Sequence, residues 1–327
     1  MSNHVIIFFL PADPPAEEQP HLWKRAGIGI MAEKGGLNMS YQVLVIGGSY
    51  FLGRIFCTLA SRLGDMELTL LNRGRYPMTH LPHLREFRCD RHDPVGLGLL
   101  PEGEYDAVVD FCAYAPGDIS FLLDNLPGRA KRYILISTAD VYARSREVKD
   151  ESSPLLAEPG SGAEGEYIWN KRLLESELAE ACALRGMETV VLRPAFIYGP
   201  YNYAPRESWY IEKVVRGEPL PIPGDAAGGF QMVYVKDAAD AIIACIRQEA
   251  AAGQAFNLAA PEVLDYARFI ETLRAVSDRP FTTAGITVED SFREGVPGRL
   301  STKCNTPEDL KGRKPIQALS GALVDEI

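Results

Sequence analysis

The chain has no C-x-x-C pair and no cysteine at metal-ligand spacing from a histidine. That excludes a zinc ribbon or a thioredoxin-like redox motif, and no metal is expected. The six cysteines, Cys57, Cys89, Cys112, Cys182, Cys245 and Cys304, read instead as reduced, buried thiols of a reducing compartment. No run is long enough to span a bilayer. The apolar stretch 5–10 has no Lys or Arg ahead of it and leads into acidic, Pro-rich sequence, which argues against a secretory leader. Positive charge is also in short supply. The formal net charge is −10, and such a surface repels RNA, DNA and anionic membranes. Internal repeats are missing too. These absences point to a cytoplasmic chain with no membrane partner and disfavour a nucleic-acid partner, while leaving room for local basic pockets.

What is present is enough apolar residue, 46% of 327, for one large core or a main domain with a smaller lobe. Residues 1–38 include the Pro- and Glu-rich tract 11–20, which carries no periodic pattern, so they read as a disordered extension or an upstream start that the folded domain does not need. From Tyr41 onward, short apolar runs at 42–46, 67–71, 107–111, 133–136 and 189–192 read as strands covered on both faces. Helical patterns at 54–63, 117–126 and 169–185 fall between them. Repeated β-then-α order implies an α/β fold with a Rossmann-type, doubly wound parallel sheet. The expected division is 39–200, with 230–258 returning to it, for the dinucleotide domain, and 201–229 with 259–327 for a substrate lobe.

The segment 43–54 joins a buried strand to a helix through Gly47-Gly48-Ser49-Tyr50-Phe51-Leu52-Gly53. Glycines let the backbone turn sharply, and the helix N-terminus offers free N–H groups to a pyrophosphate. Gly53 allows close packing of helix on strand. Tyr50 stands where such turns usually carry a middle glycine. The second strand ends in Asn72-Arg73-Gly74-Arg75, without the acid that takes ribose hydroxyls in NAD sites. Guanidinium groups suit a 2′-phosphate, so the cofactor is read as NAD(P), with NADP favoured over NAD. Asp90, ending the third strand, can bond an adenine amino group or cap a helix.

Tyr167 and Lys171 lie four residues apart, a spacing that puts them on one face of a helix. A nearby ammonium favours phenolate, so Lys171 is expected to lower the Tyr167 pKa toward working pH. The phenol then exchanges a proton with a substrate oxygen while hydride moves to or from nicotinamide. Thr138, at the end of another strand, is placed to bond the reacting oxygen or to cap the turn. Beyond Pro200, Tyr201, Asn202, Tyr203, Arg206, Trp209 and Tyr210 offer hydroxyl, phosphate and stacking contacts, or simply pack a lobe. Asp237 reads as a helix N-cap. His80, His83 and His92 read as surface residues with no chemistry.

Taken together, Gly47–Gly53, Asp90, 136–142, 167–171, 193–200 and 233–243 resemble the extended and atypical short-chain dehydrogenase/reductase superfamily, in its NAD-dependent epimerase/dehydratase family, over roughly residues 39–258. The resemblance implies an enzyme with Thr138, Tyr167 and Lys171 as its catalytic set, and often a homodimer. It implies cofactor contacts from Arg91, Phe111, Ala113, Lys171, Pro194, Phe196 and Ile197 as well as from the glycine turn, Asn72, Arg73 and Asp90. On the substrate side it implies Asp140, Asn202, Tyr203, Arg206 and Gln231 around a nucleotide-sugar. Asp140 lies where dehydratase relatives carry a second acid, but Ala139 replaces their preceding Asp, which leaves epimerase or reductase. The variant turn and Asn72-Arg73-Gly74 resemble an atypical subgroup, one chloroplast branch of which is associated with RNA binding. A non-catalytic redox-sensing or RNA-associated protein is therefore the alternative function.

Overall fold

The structure, a computed structural model, describes residues 40–143, 148–204, 206–226, 229–294 and 296. The extension expected at 1–38, the last thirty residues and Cys304 lie outside the described residues.

The first half alternates strand and helix: β1 (Tyr41–Ile46), α1 (Phe51–Ala60), β2 (Met66–Asn72), β3 (Leu84–Arg88), α2 (Pro94–Leu97), β4 (Glu104–Asp110), α3 (Asp118–Asn125), β5 (Arg129–Ile136), α4 (Gly162–Ala183) and β6 (Glu188–Pro194). With β10 (Gln254–Leu258) these strands form a seven-stranded sheet in the order β10-β6-β5-β4-β1-β2-β3, every neighbouring pair parallel. Side chains alternate faces along a strand. Val43, Val45, Ala107, Val109, Ile134 and Ile136 thus enter one core, with α1 and with α6 (Val235–Arg247). Leu44, Ile46, Val108, Tyr133 and Leu135 enter the other, with α3 and α4. Both faces are covered, as the unbroken apolar runs require.

A third, smaller core gathers Phe196, Tyr210, Phe230, Met232, Tyr266, Phe269 and Leu273. It is framed by β7 (Phe196–Tyr198), α5 (Glu207–Arg216), β8 (Leu220–Pro223), β9 (Met232–Tyr234), α7 (Tyr266–Val276), β11 (Thr283–Ile286) and α8 (Val288–Arg293), with β7 paired to β9 and β8 to β11. Phe196, expected among the cofactor contacts, packs in this core, and so does Tyr210.

Two local expectations need correction. The helix carrying Tyr167 begins at Gly162, seven residues before the apolar periodicity becomes legible, because its opening Gly-Ala-Glu-Gly-Glu holds no apolar stripe. Asp237 is not an N-cap: α6 starts at Val235, so Asp237 sits in its first turn, where a carboxylate still suits the helix dipole.

Candidate active site

The carboxyl ends of β1, β4, β5 and β6 open on a cavity of about 530 Å³. Gly47, Tyr50, Phe51, Leu52 and Gly53 form one wall; Phe111, Cys112 and Tyr114 follow β4. Thr138, Asp140, Tyr167 and Lys171 form the floor, and Pro194, Ile197, Asn202, Tyr203 and Arg206 close the far side.

The glycine wall admits no other residues. Gly47 has φ +78°, and a Cβ there would lie 2.6 Å from the Cys112 sulfur. A Cβ on Gly53 would lie 2.6 Å from the Gly48 Cα. This backbone-on-backbone contact seats α1 against the turn, and the first-turn amides of α1, as in any helix, have no intrahelical acceptors. Phe51, at φ +40°, is a non-glycine in the left-handed region at the mouth of that helix. Closely packed glycines and helix amides at a sheet's carboxyl edge make a cradle that fits a dinucleotide pyrophosphate. Tyr50 does not fill the cradle. Its ring swings outward and stacks on Tyr76 (centroids 4.9 Å) and on Tyr203 (5.3 Å).

Lys171 is 2% exposed. Its ammonium donates to the Ala113 and Ile136 carbonyls, each at 2.8 Å. It lies 5.9 Å from the centre of the Tyr167 ring. Burial pulls its pKa down to about 8, while Asp110 opposes the fall. The expectation that Lys171 lowers the Tyr167 pKa is corrected here. Burial, Tyr114, Asp140 and Tyr203 push the phenol well above its ordinary value, and Arg206 is the cation that counteracts them. The ammonium is committed to two carbonyls instead. Tyr167 is therefore protonated at neutral pH, with 39% of the residue's surface open.

Thr138 caps the short turn 139–141, and its hydroxyl donates to Asp140 Oδ2 at 2.8 Å. A buried chain underpins this loop. The Ser137 hydroxyl donates to Glu175 (2.6 Å), Arg193 donates to both Glu175 oxygens and to the Tyr142 hydroxyl, and that hydroxyl donates to Asn257.

Several expected site residues serve other partners. Arg91 is buried against Asp110 and donates to the Asp118 carbonyl. Ala113 is buried and meets Lys171 through its carbonyl. Gln231 is buried and donates to the Ala260 carbonyl. Asn72 is buried, bridging Glu86 and the Gly74 amide. Gly48 and Ser49 lie inside the turn, and Asp90 accepts from the His92 amide. None of these, nor exposed Arg73, is among the cavity's walls. Asn202 does line it, with its amide held on Glu207, and Arg206 lies over the Phe196 ring. The sequence reading missed Tyr114, Cys112 and Glu164. For the first two, the end of β4 beside the glycine turn was the available signal. Glu164 falls in the unread first turn of α4.

Fold and site together define a Rossmann-type α/β class. Residues 119–259 match the NAD dependent epimerase/dehydratase family, so the family resemblance read from the sequence is borne out over that stretch. The chain is 28% identical over 253 residues to the chloroplast stem-loop binding protein of 41 kDa b of Arabidopsis thaliana, covering 71% of this chain and 63% of that one. It is 26% identical over 164 residues to UDP-glucose 4-epimerase of Vibrio cholerae, covering 50% and 49%. The match thus spans less than two thirds of either relative. In fold it is similar to UDP-glucuronic acid 4-epimerase of Bacillus cereus in complex with NAD, at TM-score 0.62 and 18% identity over 83% of this chain and 97% of that one. No helix among the described residues is long and apolar enough to cross a membrane, and no group of potential metal ligands occurs among them.

Proposed function

We propose that this protein is an NAD(P)-dependent epimerase or reductase acting on a hydroxyl or carbonyl of a nucleotide-sugar or related substrate. One observation carries the reading: a phenol and a buried ammonium 5.9 Å from its ring centre line one cavity with the glycine turn.

Gly47, Gly53 and the α1 amides would hold the pyrophosphate, and the ammonium of Lys171 the nicotinamide ribose. The dinucleotide supplies the hydride acceptor and donor. The chain's own residues handle the proton. The protonated Tyr167 hydroxyl gives its proton to a carbonyl oxygen on reduction and takes one back on oxidation. Thr138 and Asp140 hold the substrate beside that oxygen, and Asn202, Tyr203 and Arg206 take its remaining hydroxyl and anionic groups. Exposed Arg73, Arg75 and Arg88 lie at the ends of β2 and β3, and the Glu86 carboxylate on β3 accepts from Asn72. That arrangement suits a 2′-phosphate and favours NADP.

Replacing Tyr167 with Phe is expected to lower turnover by about 10²–10⁴-fold and to leave dinucleotide affinity unchanged. Full activity in that variant ends the reading. Mass spectrometry of the copurifying dinucleotide separates the two reactions: tightly held oxidised cofactor marks an epimerase, whereas an empty site with NADPH affinity marks a reductase.

The cavity rim favours a second reading. Exposed Tyr50, Tyr76, Tyr201 and Tyr203 stand beside Arg54 and Arg75, flat rings with guanidinium groups of the kind that hold unpaired bases. One relative is named for binding stem-loops. Against it stands the net charge of −10. Salt-dependent retention of RNA without turnover would replace the first reading by this one.

A further inference from the structure

The Lys171 ammonium has a closer aromatic neighbour than Tyr167. Its nitrogen lies 5.0 Å from the centre of the Tyr114 ring, and the two phenol rings are 6.4 Å apart. Tyr114 forms part of the cavity wall and is 53% exposed, so its position is not forced by close packing. The backbone fixes it instead. The Tyr114 amide donates to Asp118 Oδ2 at 2.7 Å, and the Ala115 amide donates to the same oxygen at 3.1 Å. The other oxygen of Asp118 meets His92 at 2.7 Å. One residue earlier, the Ala113 carbonyl accepts from Lys171 itself. A single short loop thus supplies the ammonium with a carbonyl and with a ring face.

An ammonium has three N–H donors. Two go to the Ala113 and Ile136 carbonyls. Aromatic faces attract the charged form of an amine and not the neutral one, and the attraction grows where water is excluded. Burial acts against charge at this lysine. The remaining titratable groups around it are Asp110 and Cys112 at the end of β4, Arg91 after β3, Asp118 at the start of α3, and Tyr167 on α4. Of the carboxylates, Asp110 is already paired with Arg91 and accepts from Tyr133, and Asp118 is committed to the loop amides and His92. Neither is hydrogen-bonded to the lysine.

We infer that Tyr114 is a positioning residue for Lys171: its ring, not its hydroxyl, keeps the ammonium charged and held on the Ala113 and Ile136 carbonyls. The claim rests on the dinucleotide reading only for its functional meaning, because the lysine can be followed without any ligand.

The test is to label lysine at 13Cε, assign the Lys171 resonance by its loss in Lys171→Arg, and titrate the full-length protein. Tyr114→Leu is expected to lower the titration midpoint by about 0.5–1 pH unit. Tyr114→Phe, which keeps the ring, should match the wild type. An unmoved midpoint in Tyr114→Leu overturns the inference, and so does a Phe variant that titrates like Leu. Loop loosening alone would broaden the resonance without moving the midpoint in this direction. Titrating the same samples with NADPH and NADH separates the two claims. A wild type that binds neither sinks the dinucleotide reading while the lysine midpoint still decides for or against Tyr114.

Discussion

The glycine turn and the aromatic rim of the cleft are built on opposite principles. The glycine wall is rigid and leaves its sequence almost no choice: at Gly47 and at Gly53 one added carbon collides with a neighbouring atom at 2.6 Å. The rim beside it is made of large, exposed rings: Tyr50, at the lip of that wall, stacks on Tyr76 and on Tyr203. The contrast shows where specificity can vary. Steric necessity defends the wall, whereas the rim can be rewritten with little cost to the fold.

The strongest challenge to that contrast lies beneath the loop that carries Thr138 and Asp140. Glu175 and Arg193 form a buried pair that also holds Ser137 and Tyr142. Glu175→Ala leaves a buried guanidinium unpaired and should destabilise the protein by about 3–5 kcal/mol in denaturant unfolding. A loss below 1 kcal/mol would mean that the loop is not anchored there.

Lys171 gives the next effect, and its sign follows from the direction of its shift. Its folded pKa, about 8, lies below the ordinary lysine value of 10.5. The unfolded chain therefore binds the proton more tightly, and the buried charge costs stability at neutral pH. That cost is relieved as pH rises from 8 to 10.5. Relative to Lys171→Met, the wild type should gain about 3 kcal/mol across this window. Parallel pH curves for the two proteins would place the lysine outside the buried floor.

The wall itself comes third. Gly53→Ala should cost about 1–3 kcal/mol by thermal unfolding, because the clash is with backbone that cannot step aside. It should also weaken dinucleotide binding. The rim comes last. Tyr203→Ala removes an exposed ring and should change stability by less than about 0.5 kcal/mol. Dinucleotide release, followed by stopped-flow fluorescence, should quicken several-fold once the stack is opened. If the rim variant destabilises the fold more than the wall variant, the contrast is wrong.

The wall could be read from the sequence because its requirements are local. Glycine spacing between a buried strand and a helix states the turn, and unbroken apolar runs such as 42–46 state strands covered on both faces. The spacing of Tyr167 and Lys171 states a shared face on any helix that holds both, although the apolar periodicity of α4 is legible only from residue 169. What depended on chain-distant neighbours could not be read. The phenol's titration was expected to follow Lys171, yet it follows burial first and then Tyr114, Asp140 and Tyr203, which arrive from three different loops. Arg91 was placed on the cofactor because position alone cannot reveal Asp110 as its partner nineteen residues on. The outward swing of Tyr50 depends on Tyr76 and Tyr203, and no pattern within the turn encodes either.

The order of the strands also bears on how the chain comes off the ribosome. β6 gains its outer neighbour, β10, only when residues 254–258 have been made, after most of the segment that builds the third core. Until then the nascent sheet ends in a naked, apolar strand of the kind that recruits stray partners. Synthesis stalled or truncated before Gln254 should therefore yield aggregates rather than a soluble half-protein, and the risk ends once that last strand docks.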